Sequence, residues 1–156
     1  MFTKTPIALT LVIAVLAAAA FGLAHSSAGA AGPTNLVFTA HDEPGNFAFV
    51  DLGAKSKQGP DIGDVLAFTQ TLVSAGRPTG VVHLAAIGVD HRRHLTQATG
   101  TVVLANGTIA VSGAVPQSHL FSLAVVGGTG AYAGAHGTLT VRTPAHTSTI
   151  TIALLP

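Results

Sequence analysis

The chain has no cysteine and no tryptophan, and one methionine and one tyrosine among its 156 residues. Without cysteine there are no disulfides and no thiol nucleophile, so stability rests on an apolar core alone. Charged residues make up only 8% of the sequence. Leaving Lys4 aside, six basic residues (Lys55, Lys57, Arg77, Arg92, Arg93, Arg142) balance six acidic ones (Asp42, Glu43, Asp51, Asp61, Asp64, Asp90). A neutral chain without a basic stripe gives no support to nucleic-acid binding. So little charge leaves a surface of threonine, serine, glycine and apolar area, which points to cover by a partner subunit.

What is present begins with Lys4 and an apolar run over residues 7–23, followed by Ala28-Gly29-Ala30. One cation, an apolar stretch and an A-x-A site read as a secretory signal peptide over residues 1–30, cleaved after Ala30. The run is also close to spanning length, so an uncleaved membrane anchor is the rival reading. After cleavage no stable membrane anchor is expected, because no cysteine follows the run to carry a lipid. Residues 31–156 then suit a single domain, secreted to the cell envelope or beyond.

Strand-like segments fill that domain. Residues 35–41 alternate, with Leu36, Phe38 and Ala40 on one face. Asp42-Glu43-Pro44-Gly45-Asn46 breaks the pattern before a short extended piece at 47–50. A mobile loop is expected over about 51–63. Further strands are expected over residues 63–75, 79–89, 95–105, 108–114, 119–126, 137–143 and 148–155. Gly76-Arg77-Pro78 reads as a turn. Asn106-Gly107 reads as a type I′ hairpin, which needs positive φ at both central residues. Short strands, turns about every ten residues and no credible helix after the leader make the domain all-β. A closed barrel of about eight strands fits best, since closure removes exposed edges; a sandwich is the alternative. Gly127-Gly128-Thr129-Gly130 demands a tight turn rather than a phosphate loop, because no lysine follows and no helix opens.

Four ordered segments resemble the dirigent and allene oxide cyclase family. Gly63-Asp64-Val65-Leu66-Ala67-Phe68, followed by Gly80, is similar to its GD-x-L-x-F strand. Thr101, Leu104, Gly107 and Ile109 match its T-x-x-L-x-x-G-x-I hairpin. Gly127-Gly128-Thr129-Gly130-Ala131-Tyr132, then Ala135-His136-Gly137, resembles its GGTG-x-Y turn and A-R-G strand. His41-Asp42 is similar to the HD pair of its first strand. The resemblance implies an eight-stranded antiparallel barrel, commonly a homotrimer, holding a small hydrophobic ligand and steering its cyclisation or coupling as an isomerase-type or dirigent-type protein. It implies no cofactor. Where relatives carry an acid after GGTG this chain has Ala131, and where they carry arginine it has His136.

The candidate chemistry follows. Asp42 is either a proton donor and orienting group at a barrel mouth or the cap of its own turn. His136 is the second acid/base candidate, sharing a face with Thr138, Thr140 and Arg142 while Leu139 and Val141 take the other. If the first set faces the cavity, Arg142 joins it as a ligand-binding cation; otherwise both are surface residues. His83 is a ligand-lining or core histidine, and Tyr132 anchors the glycine turn and is a further ligand-binding candidate. His91 and His94, three apart in a turn, do not make a metal site. The competing reading is a non-catalytic, lipocalin-like carrier, which an apolar cavity without convergent polar groups would favour, or a structural barrel, which a filled interior would favour over both.

Overall fold

The computed structural model describes residues 34–52, 60–144 and 147–156. The expected signal segment and residues 53–59 of the expected loop lie outside the described residues. Eight strands follow one another: β1 (Thr34–Val50), β2 (Val65–Ser74), β3 (Arg77–Asp90), β4 (Leu95–Leu104), β5 (Gly107–Pro116), β6 (Leu120–Gly128), β7 (Gly137–Arg142) and β8 (Ser148–Leu154). Each pairs antiparallel with its sequence neighbour, and β1 also pairs with β8, so the sheet closes into a barrel. This up-and-down order gives the barrel two ends. Odd strands run from the end near Thr34 towards the end near Asp42, and even strands return.

Alternation decides what faces inward. On β3, Val82, Leu84 and Ala86 are buried while His83, Ala85 and Ile87 between them are exposed. On β7 the inward pair is Leu139 and Val141, in register with Ile152 and Ile150 of β8. Phe38, Leu72, Val102, Ile109, Val111 and Leu123 add the other large side chains of the core, with Val125, Ala40 and Ala98 between them. Burial of each such side chain contributes about 1.5–3 kcal/mol. Together they leave an interior slot of only about 20 Å³ between Phe68, Val82, Val111, Leu139 and Ile150. That space takes roughly one water. Among the described residues, the interior expected to hold the ligand is thus packed with side chains around this slot.

Three local expectations change. The break at residues 42–46 does not end a strand; it is absorbed as a bulge inside β1. The chain turns at Ala75 and Gly76, both with positive φ (+49° and +75°), one step before the expected Gly76-Arg77-Pro78. Pro78 instead sits within β3 next to a register shift, where its missing N–H is tolerated. The Asn106-Gly107 hairpin forms, but not as type I′. Leu104 pairs with Gly107, so Ala105 and Asn106 are the central residues, and the positive φ (+146°) falls on Gly107 alone.

One end of the barrel is sealed by the glycine turn. Gly130–Tyr132 forms a short 3-10 turn that interlocks with the β4–β5 hairpin. Ala131 N–H donates to the Asn106 carbonyl (2.8 Å) and Thr129 N–H to the Thr108 carbonyl (2.9 Å). The Thr108 and Thr129 hydroxyls bond each other at 2.8 Å. Half-buried Tyr132 packs against the core from this end.

At the other end, the β3–β4 turn carries a tight charge pair. The Arg93 guanidinium and its backbone N–H donate to the two Asp90 oxygens (2.8 and 3.0 Å), holding that carboxyl below the ordinary range. Arg93→Ala is expected to raise the Asp90 pKa towards its ordinary value in a carboxylate NMR titration. A lowered folded pKa contributes stability above the unfolded value that is lost as pH falls through the folded one. Because both side chains lie at the surface, the thermal midpoint should hardly move with this substitution. An unchanged Asp90 titration would show that another group controls it.

Candidate functional site

The end near Asp42 holds an open space of about 340 Å³ lined by Asp42, Asn46, Phe47, Phe68, Thr69 and Gln70. Its chemistry comes from β1 and β2. Leu66, Phe68, Gln70 and Leu72 alternate onto one face of β2, and Asp42 of β1 stands opposite Gln70 in register. The two side chains meet there: Gln70 Nε2 donates to Asp42 Oδ1 at 2.6 Å. One carboxylate oxygen is thus engaged by the amide, and Phe68 lines the same space. Phe68 and Gln70 also line the interior slot, so these two side chains stand between the mouth and the core.

The bulge shapes this mouth. Between the pairs Asp42↔Gln70 and Phe47↔Phe68, β1 spends four residues where β2 spends Thr69 alone. The surplus loops away from the sheet, with Gly45 at φ +86°. Phe47, 64% exposed, is left overhanging the mouth on the same side as Phe68.

The other sequence candidates are not assembled around Asp42. His136 directly precedes Gly137, which pairs with Leu154, which in turn pairs with Thr34. Asp42 lies eight residues further along β1 than Thr34, roughly 26 Å at the usual strand rise. His136 and Asp42 therefore occupy opposite ends and cannot share a substrate within one barrel. The His136 ring lies near the Gly134 carbonyl (Nδ1 to O, 3.3 Å) and is exposed. Tyr132 stays at the same sealed end. Arg142 is exposed on the outer wall, since the Leu139 and Val141 set faces inward. His83 also points outward, its Nδ1 2.9 Å from the Thr69 hydroxyl. The sequence reading passes over Gln70, although it is the polar residue between Phe68 and Leu72 that interrupts the apolar face of β2.

Asp64, in the Gly63-Asp64 motif, is buried but serves the backbone. Its two oxygens accept the N–H groups of Leu52 (2.9 Å) and Asp61 (2.8 Å). The Gly88 N–H donates to its carbonyl, tying the segment to β3. Beside it, His91 Nδ1 lies 2.7 Å from an Asp61 oxygen.

A model of the allene oxide cyclase barrel-like domain matches residues 39–154. The chain belongs to that family. The match runs from the middle of β1 to the end of β8, so it takes in every element of the mouth. Among solved structures, this allene oxide cyclase-like barrel is similar to a pyocyanin demethylase, at 26% identity and TM-score 0.69, over 78% of this chain and 99% of the other. It is also similar to a pterocarpan synthase dirigent protein, at 18% identity and TM-score 0.63, over 78% and 82% of the two chains. A Diels-Alderase from Streptomyces koyangensis shares the fold at 14% identity and TM-score 0.57, over 80% and 70%. No curated protein matches the chain.

Proposed function

We propose that this barrel binds a small, largely apolar molecule at its Asp42 end and steers that molecule's cyclisation or coupling. The carrying observation is the carboxylate of Asp42, held by Gln70 at 2.6 Å in a space of about 340 Å³ that Phe47 and Phe68 also line. A ligand hydroxyl or amine can donate to the free Asp42 oxygen while its apolar body lies against Phe68 and Phe47. Holding a reactive molecule in one conformation against these rings lowers the entropic part of its barrier. Asp42 is then the group able to take or orient a proton, and His136 has no part in the same event. The family and the solved relatives named above, a demethylase, a dirigent protein and a Diels-Alderase, support small-molecule chemistry on this scaffold.

The same reading includes secretion after removal of residues 1–30 and assembly as a homotrimer. Intact-mass measurement of the exported protein should find Ala31 as the first residue, and light scattering should find three chains per particle.

Binding is tested with 2-naphthol, an apolar ring system carrying one donor. Asp42→Asn is expected to weaken its binding at the mouth about 10-fold or more, as loss of a charge-assisted hydrogen bond of about 1.5–3 kcal/mol requires. Gln70→Leu should weaken it less, by loosening the carboxylate. Equal affinities in wild type and both variants would remove the assignment. The filled interior favours a second reading, a structural barrel without chemistry; there 2-naphthol binding would not depend on Asp42.

A further inference from the structure

A second hollow lies outside the barrel, on the wall formed by β1 to β4, with a volume of about 570 Å³. Its floor can be built from the register. Ala48, Ala67, Ala85 and Thr99 are directly paired across four strands, forming one outward rung. Thr69, His83 and Thr101 form the next. Branched side chains stand on either side: Val50, Val65 and Ile87 beyond the alanines, and Val81 with Val103 beyond the polar rung. Three methyl-sized side chains between two raised rows make a trough across the strands, about 14 Å long at the usual inter-strand spacing. The β1 bulge, at Gly45 and Asn46, walls one end.

The chemistry of the trough is narrow. None of its lining residues is Asp, Glu, Lys or Arg. His83 is its single titratable group, tethered through Nδ1 to the Thr69 hydroxyl at 2.9 Å. With one ring nitrogen engaged, the other is the hydrogen-bonding handle. It is a donor if the Thr69 hydroxyl donates to Nδ1 and an acceptor if it accepts, and a hydroxyl on a ligand satisfies either tautomer. A flat floor of alanine methyls favours a flat face, because close contact across the whole ring maximises the apolar area removed from water.

We propose that this outer trough is a second small-molecule site, distinct from the barrel mouth, which takes an uncharged, flat aromatic alcohol with its ring on Ala67 and Ala85 and its hydroxyl on His83. The site does not depend on the reading of the mouth. The two hollows adjoin at the bulge, where Asn46, Phe47, Phe68 and Thr69 line both; Asp42 and Gln70 belong to the mouth alone, and Ala67, His83 and Ala85 to the trough alone.

The test is titration of the purified protein with 2-naphthol, followed by methyl and backbone NMR. The Ala67 and Ala85 methyls and the His83 ring should shift together along one isotherm. Ala85→Leu fills the floor from an exposed strand position and should weaken that isotherm at least 10-fold. His83→Ala should weaken it several-fold, and Asp42→Asn should leave it unchanged. Failure of the mouth reading would appear only as an isotherm at the Gln70 side-chain amide, which lines the mouth and not the trough, that Asp42→Asn does not move. If the probe shifts only mouth residues, or Ala85→Leu binds as tightly as wild type, the outer site does not exist. If the wall is instead covered by a second copy of the chain, the alanine methyls will not respond and Ala85→Leu will split the assembly. That result also overturns the proposal.

Discussion

Gly130→Ala is expected to lower the unfolding free energy by about 2–4 kcal/mol, the sum of a backbone and a steric cost. Gly130 sits at φ +61°, where an L-residue pays about 1–2 kcal/mol. A Cβ there would also run into the carbonyl oxygen of Asn106. That oxygen accepts the Ala131 N–H, so it cannot retreat without breaking the bond between the glycine turn and the β4–β5 hairpin. Gly134 is the control, with φ +74° but nothing within 4 Å of its would-be Cβ. Gly134→Ala should show the backbone cost alone, about 1–2 kcal/mol. Urea unfolding followed by circular dichroism separates the two. Equal losses would mean that the close approach to Asn106 does not matter.

Asp64→Ala should cost about 2–4 kcal/mol, because it strands the Leu52 and Asp61 N–H groups that its buried oxygens accept. Truncation at this buried position also leaves a small cavity, so the near-isosteric Asp64→Asn serves as the volume control. Asp64→Asn keeps one acceptor oxygen and loses the charge, so it should fall between wild type and alanine. The urea midpoint should drop for both variants with an unchanged slope, as expected for lost stability without a changed unfolded state. A midpoint for Asp64→Ala within error of wild type would show that water replaces the carboxylate at no cost. Gly63-Asp64 drew notice in the sequence only as part of a motif; its physical task is to fasten the chain on either side of residues 53–59.

Much of the barrel was readable because inward positions on its strands are almost purely aliphatic. Val82, Leu84 and Ala86 alternate with His83, Ala85 and Ile87 plainly enough to define a strand with two faces. Strand seven was ambiguous for the opposite reason: Thr138, Thr140 and Arg142 make one coherent face and Leu139 and Val141 another. The choice comes from β8, whose Ile150 and Ile152 must bury against the aliphatic pair. The bulge in β1 was hidden because Pro44 and Gly45 signal a turn whether the chain reverses or only steps out of the ladder. The distance between Asp42 and His136 followed from topology rather than from motifs. In an up-and-down barrel the end of strand one and the start of strand seven are at opposite ends. Gln70 needed only the observation that an amide interrupts an apolar face.

The pairing of β1 with β8 has a kinetic consequence. Thr34 meets Leu154 and Ala40 meets Ser148 in the ladder that closes the ring. Every other ladder joins strands adjacent in the chain, so seven hairpin-like steps can proceed locally. The seam alone requires almost the whole domain to be present before it forms. Until then both flanking strands keep a bare hydrogen-bonding edge, open to pairing with another molecule. Closing so long a loop costs entropy that no contact repays in advance, which places the seam late in folding. The first strand synthesised is thus the last to be completed, and the period before closure is when this chain is most exposed to aggregation.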